Sequence, residues 1–266
     1  MLNLALDTAT PWGRFALAEG DNLLAYQPLN VSGNYADALL SVVDSLFQLT
    51  RRDVSELGAI GVTRGPGSFT GVRIGVATAK GLAYGLGVPL IAVNTLEAMA
   101  AALLEDHPDL DLAVPVLDAR RGELFAAVYR RSPAWVVPVL EPAARTPDRW
   151  WDRIRVALPQ PGHAAWGGEG VNLLVGEGKS LRPELIRRGL PVRRTWTVSH
   201  PATARRLALV MGDAAVDLPV VHPFTLRPLY LRASDAEVKR HLDLTPKAPG
   251  TAIRNHRGEP VEGGHE

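Results

Sequence analysis

Residues Leu4–Ala18 read LALDTATPWGRFALA, and residues Val114–Val128 read VPVLDARRGELFAAV. Each stretch is an apolar run ending in an aspartate, Asp7 or Asp118, then a short polar turn with a glycine, Gly13 or Gly122, then a second apolar run. That order is the pattern of a β-hairpin. Its recurrence further along the chain predicts one plan used twice, as two lobes facing each other across a cleft.

The neighbouring sequence extends each hairpin. Leu2–Leu6, Arg14–Ala18 and Asn22–Leu29 read as three strands joined by short turns, which predicts an antiparallel meander. YADALLSVVDSLFQLT follows, with Leu39, Val42, Val43, Leu46 and Leu49 at helical spacing. Ala59–Val62 and Leu90–Val93 read as further strands. One helix begins near Thr70, and another near Asn94 with Glu97 as its capping partner. Helix crossovers between the later strands predict parallel pairing, and so a mixed five-stranded sheet. In the second copy, Trp135–Leu140 is the expected third strand. Thr146-Pro147 starts a helix through Trp150, Ile154 and Leu158, Ala164–Trp166 is a further strand, and Pro201–Val216 a further helix. The expected organisation is lobe 1–106, a smaller and degenerate lobe 107–232, and a polar, Pro- and Gly-rich mobile tail 233–266.

The 266 residues are 46% hydrophobic with a formal net charge of +1, enough apolar material for a sizeable core and no global field to recruit nucleic acid or an anionic membrane. Cys is absent, which excludes disulfides, thiolate catalysis and cysteine-ligated zinc. No apolar run approaches a membrane span, and the first residues carry no basic segment of a signal peptide, so a cytoplasmic location is expected.

Residues 64–75, RGPGSFTGVRIG, look built to hold something. A P-loop or a dinucleotide fingerprint counted from Gly65 needs glycine at position 70, which is Thr70. A nucleophile elbow around Ser68 needs glycines at Pro66 and Thr70. All three fail on spacing. What remains is a tight Gly65-Pro66-Gly67 turn, with Ser68 or Thr70 capping the next helix. Along that helix Gly71, Gly75 and Ala79 form a small-residue stripe, fit either for packing inside the lobe or for a partner helix. Asp7, with Thr8 beside it, and Asp118 are the candidate nucleotide cleft, against the plainer reading that each carboxylate caps its own turn. Removing either carboxylate is expected to leave folding nearly intact. No two of the seven histidines are four apart, so no helical metal pair exists.

LALDTAT, RGPGSFTGVRIG, GLAYGLGVPLIAVNTLEAMA, LDARRGELFAAVY and PLYLR together resemble the TsaB (YeaZ) family, densely over residues 1–130 and thinly over 131–225. The resemblance implies the actin-like ATPase fold of two ribonuclease-H-like lobes, each with a mixed five-stranded sheet and flanking helices. It also implies a non-catalytic part in forming threonylcarbamoyladenosine at position 37 of tRNAs that read codons beginning with A. Implied partners are a TsaD-type transferase, a TsaE-type ATPase and a second copy when alone, with tRNA met only through the complex and no membrane. No tightly bound cofactor is implied, and ATP or ADP at the complex interface is left open. The first two helices, carrying Leu39, Val43, Leu46, Gly71, Arg73, Gly75 and Ala79, are the implied dimer surface. The transferase relative has an H-M-E-G-H metal motif where this chain has T-L-E-A-M. Thr95 and Met99 hold the two ligand positions, and neither replaces an imidazole. Two other readings stay open: a stand-alone phosphotransferase or ATPase of the same fold, and a metallohydrolase, which Thr95 and Met99 disfavour.

Overall fold

The alternation of Leu4 and Leu6 with Ala5, and of Phe15 and Leu17 with Ala16, gives the first sheet one bulky face and one shallow face. A computed structural model describes residues 1–30, 35–133, 135–158, 164–169, 174–175, 179–180, 202–211 and 218–232. Met1–Leu231 form one unit, which holds both large sheets; Arg232–Glu266 form a second, of which only Arg232 is described. The expected mobile tail therefore lies outside the described residues.

In the first sheet β1 (Leu2–Asp7), β2 (Trp12–Glu19) and β3 (Asn22–Asn30) run as an antiparallel meander. Helix α1 (Tyr35–Thr50) leads to β4 (Leu57–Thr63), parallel to β1. Helix α2 (Phe69–Leu86) leads to β5 (Leu90–Val93), parallel to β4. The second sheet has β6 (Leu112–Arg120), β7 (Glu123–Arg131) and β8 (Val136–Arg145) as a meander, then α4 (Pro147–Ala157) and β9 (Ala164–Glu169) parallel to β6. The two cores repeat one topology, the ribonuclease-H-like plan of the actin-like ATPase fold.

Strand counts depart from five and five. Among the described residues the second sheet has four strands, β8-β7-β6-β9. The first has six, because β12 (Val220–Val221) pairs antiparallel with β5 at the edge. A two-residue strand carries no periodicity, so the sequence gives no warning of it. A separate pair, β10 (Leu174–Val175) and β11 (Lys179–Ser180), completes the strands described.

Helices α1 and α2 cover the bulky face of the first sheet, with Leu4, Leu6, Phe15, Leu17, Leu39, Leu46 and Val76 in the core between. The shallow face receives α5 (Ala202–Val210) through Ala5, Ala16, Ala204, Leu207 and Ala208. Helix α3 (Thr95–Asp106) lays Leu96, Met99, Leu103 and Leu104 on the second sheet against Leu117, Phe125 and Tyr129, and α4 covers its other face through Trp150 and Ile154. Because α3 also packs on α5, the two sheets are joined through a shared helical layer. Each large aliphatic side chain buried there contributes about 1.5–3 kcal/mol.

Candidate functional site: a sealed hairpin and a packed glycine helix

Asp7 ends β1 inside the protein, with no exposed surface. Its carboxylate is saturated by donors of this chain. Oδ1 accepts from the Ala9 N–H at 3.1 Å and from the Thr63 hydroxyl at 2.7 Å. Oδ2 accepts from the Thr203 hydroxyl at 2.5 Å, with the Arg14 guanidinium 3.5 Å away. Arg14 is itself 2% exposed and also donates to the Thr10 hydroxyl at 3.0 Å and the Trp12 carbonyl at 3.2 Å. A buried charge is tolerated only when paired and hydrogen-bonded, and both charges here meet that condition.

The turn after Asp7 is turned inward as well. The Thr8 hydroxyl donates to the Gly71 carbonyl at 2.8 Å, the Thr10 hydroxyl to the Trp12 carbonyl at 2.9 Å, and the Ala9 carbonyl accepts from the Ser68 N–H at 2.6 Å. So the polar groups of the hairpin are spent on its own walls.

The glycine stretch explains how α2 comes so near. A side chain on Gly67 would meet the Ala9 carbonyl at 2.2 Å, one on Gly71 the Thr8 carbonyl at 2.1 Å, and one on Gly75 the Thr8 hydroxyl at 2.0 Å. The helix start therefore sits directly on the β1–β2 turn, an approach only glycine permits. Ser68 is the N-cap, its hydroxyl accepting from the Gly71 N–H at 3.3 Å, and Thr70 is not. Gly65, joined to Pro66 by a cis peptide, has φ +106°, and a Cβ there would lie 2.5 Å from the Leu229 carbonyl. The Leu229 N–H in turn donates to the Arg64 carbonyl at 2.6 Å.

The small-residue stripe is thus an internal contact. Gly71, Gly75 and Ala79 are buried within the first lobe, as are Leu39, Val43 and Leu46 of α1. Of the seven residues expected on a dimer surface, Arg73 alone faces out. Its guanidinium lies 3.7 Å over the Phe69 ring and donates to the Tyr230 hydroxyl at 2.7 Å. The exposed side of these helices carries other residues: Leu40, Leu49 and Tyr84, at 54%, 74% and 65%, with open space around Gly81 and Gly85. Helical periodicity marked the inner face of these helices.

Asp118 differs from Asp7 in setting. It is part-exposed at the tip of the β6–β7 hairpin, accepts from the Arg120 N–H at 2.6 Å and pairs with the Arg120 guanidinium at 3.5 Å. Arg120, Arg121 and Gly122 all take positive φ in that turn. The two aspartates, matched in sequence, are each engaged by different neighbours.

Thr95 and Met99 have structural work. The Thr95 N–H donates to the Gly65 carbonyl at 2.9 Å and its hydroxyl accepts from the Gly65 N–H at 3.2 Å, while Met99 packs into the second sheet's core. A hydroxyl already pairing with a backbone amide and a buried thioether do not fit a divalent metal. Two groups nearby are shifted: burial pushes the Glu97 carboxyl up, and burial with nearby Glu97 and Glu141 pushes the Tyr129 phenol up.

Arg14 and Thr203 escaped the sequence reading. A lone arginine inside the apolar run of β2, opposite Asp7 in register, was the available signal for the first. For Thr203, 196 residues from Asp7, there was none.

Comparison with known proteins adds to this geometry. A family model described as TsaD, tRNA N6-adenosine threonylcarbamoyltransferase, matches residues 26–161. The tRNA threonylcarbamoyladenosine biosynthesis protein TsaB of Bacillus subtilis (strain 168) is 38% identical over 130 residues, 49% of this chain and 56% of that protein. The TsaB of Escherichia coli (strain K12) is 35% identical over 128 residues, 48% of this chain and 54% of that protein. The chain spans about half the length of the curated relatives it matches. The solved structure of YeaZ from Pseudomonas aeruginosa superposes with a TM-score of 0.63 at 25% identity, covering 86% of this chain and 99% of that one.

Proposed function

The chain belongs to the TsaB (YeaZ) family, and from that premise we propose that it is a non-catalytic partner in the formation of threonylcarbamoyladenosine on tRNA, supporting a TsaD-type transferase together with a TsaE-type ATPase. The observation that carries the reading is the sealed β1–β2 hairpin. A phosphate or a hydrated cation needs free donors or a free carboxylate, and Asp7 has spent its acceptors on Thr63, Thr203, Ala9 and Arg14. The stand-alone phosphotransferase reading loses its main residue in this way. The metallohydrolase reading lacks ligands at Thr95 and Met99.

The partner surface in this reading is the outer side of α1 and α2, where Leu40, Leu49 and Tyr84 stand in solvent and Gly81 and Gly85 leave room for a close neighbour. Helix α2 contains no Asp or Glu, so its outer face adds only Arg73 and Lys80 to the charge there.

Two measurements test the proposal. The purified chain should hydrolyse no ATP, and adding it to the transferase and the ATPase should raise modified-adenosine formation. Turnover by the chain alone would sink the non-catalytic reading. Gly81→Trp, set in open space, should leave the melting temperature nearly unchanged and weaken transferase binding; unchanged affinity would move the surface elsewhere.

A further inference from the structure

We propose that Arg73 is a pre-ordered fork for an Asp or Glu side chain of the partner protein, held ready by a segment that crosses α2 after β12. The proposal rests on the reading of the outer side of α1 and α2 as the partner surface, and it names the chemistry which that surface selects.

Residues 222–231 follow β12 and run along α2 against its direction. The Phe224 and Tyr84 rings meet with centroids 5.0 Å apart, the Leu226 carbonyl accepts from Lys80 Nζ at 3.3 Å, and the Tyr230 and Phe69 rings meet, again at 5.0 Å. Phe69, Arg73, Lys80 and Tyr84 fall within about 60° of one another around the helix axis, so these contacts form one stripe along α2. Leu226 is buried in the first core, and Leu231 packs on the core of the second sheet. The segment is anchored on both sides of the contact with Arg73.

Arg73 is caught at this contact. Its guanidinium lies 3.7 Å from the centroid of the Phe69 ring and 5.7 Å from that of the Tyr230 ring, and its Nε donates to the Tyr230 hydroxyl at 2.7 Å. Nη1 and Nη2, which can donate in parallel to a planar carboxylate, bond no described residue. An exposed arginine ordinarily loses rotamer freedom when it binds. One that is already stacked and bonded loses less, so more of the charge-assisted bond appears as affinity. Tyr230 is the positioning residue.

Charge and neighbours choose the occupant. Neither α2 nor residues 218–232 contain an Asp or Glu, and Lys80 and Arg227 add to the positive charge of Arg73. An acidic side chain is the complement. A nucleic acid backbone calls for many cations, whereas Lys80 is already engaged by the Leu226 carbonyl and the exposed side chains around it are Tyr84, Phe224 and, on α1, Leu40. An arginine set among Tyr and Phe is the composition of a protein interface.

The test measures affinity of the full chain for the transferase, together with the melting temperature of each variant. Arg73→Met should weaken binding about 10- to 100-fold while the melting temperature stays nearly unchanged. Arg73→Lys, which keeps the charge and loses the fork, should recover little of that loss. Tyr230→Phe keeps the ring and removes the hydroxyl, and should weaken binding about threefold. Between about 50 and 500 mM salt the wild-type affinity should fall more steeply than that of Arg73→Met, a difference that a merely structural arginine would not produce. Wild-type affinity in Arg73→Met or in Arg73→Lys overturns the fork. If Gly81→Trp still weakens binding in that case, the helix surface stands without it; if Gly81→Trp also binds normally, both readings fall. Arg73→Met that spares the transferase and weakens binding of tRNA to this chain would overturn the carboxylate in favour of a phosphate.

Discussion

The hydroxyl of Thr203, on α5, donates to Oδ2 of Asp7, on β1, at 2.5 Å across 196 residues of sequence. With Thr63 and Arg14 on the same carboxylate, one side chain ties β1 to β2, β4 and α5. Asp7 is therefore placed as a structural junction. The expectation that its removal leaves folding intact is corrected by its burial.

Asp7→Ala should cost about 3–5 kcal/mol, because it strands the Arg14 charge inside the protein. Asp118→Ala, at a part-exposed turn, should cost about 1 kcal/mol or less. Denaturant melts of the two variants measure the contrast. Equal and small losses would show that Arg14 finds another acceptor.

Gly75→Ala should destabilise the isolated chain by about 1–3 kcal/mol, since its new methyl meets the Thr8 hydroxyl. Gly81→Ala on the same helix meets nothing and should gain about 1 kcal/mol from helix propensity. Melting temperatures that move in opposite directions would confirm the inward facing of the stripe.

The short 3₁₀ turn Val54–Glu56 carries a capping box. Its Asp53 carboxyl is held below the usual range by hydrogen bonds from the Ser55 hydroxyl and N–H. The Glu56 carboxyl is lowered by the Asp53 N–H first and Arg52 second. Both contributions exist above the unfolded values and fade as pH falls through the lowered ones. Asp53→Asn with Glu56→Gln should flatten the acid limb of a stability profile and leave its alkaline side unchanged.

Arg131 closes the end of α3: its Nη2 donates to the carbonyls of Leu104, His107 and Leu110 at 2.5, 3.0 and 2.9 Å. Arg131→Met should cost about 1.5–3 kcal/mol, the range for hydrogen bonds to a charged group. Hydrogen exchange should rise first in the last turn of α3. Exchange spread evenly over the chain would point to another role for Arg131.

Hairpins, helix periods and cap residues are local features, so the sequence by itself determined the repeated hairpins, the mixed pairing, the start of α3 at Asn94 and the start of α4 at Pro147. Spacing also ruled out a phosphate loop at Gly65. What lay beyond it were contacts between segments remote in sequence. The edge strand β12, the Thr203 bond to Asp7 and the packing of Leu229 against Gly65 all arrive from the far end of the chain. Periodicity tells how often a residue returns to one side of a helix, not whether that side meets its own sheet or a partner. For Gly71, Gly75 and Ala79 only tertiary structure could decide, and it turned them inward: the Thr8 carbonyl fills the space a side chain on Gly71 would need, the Thr8 side chain fills that of Gly75, and Ala79 is buried. The same reason separates Asp7 from Asp118: identical places in two hairpins, one enclosed by Arg14, Thr63 and Thr203, the other left at the surface with Arg120.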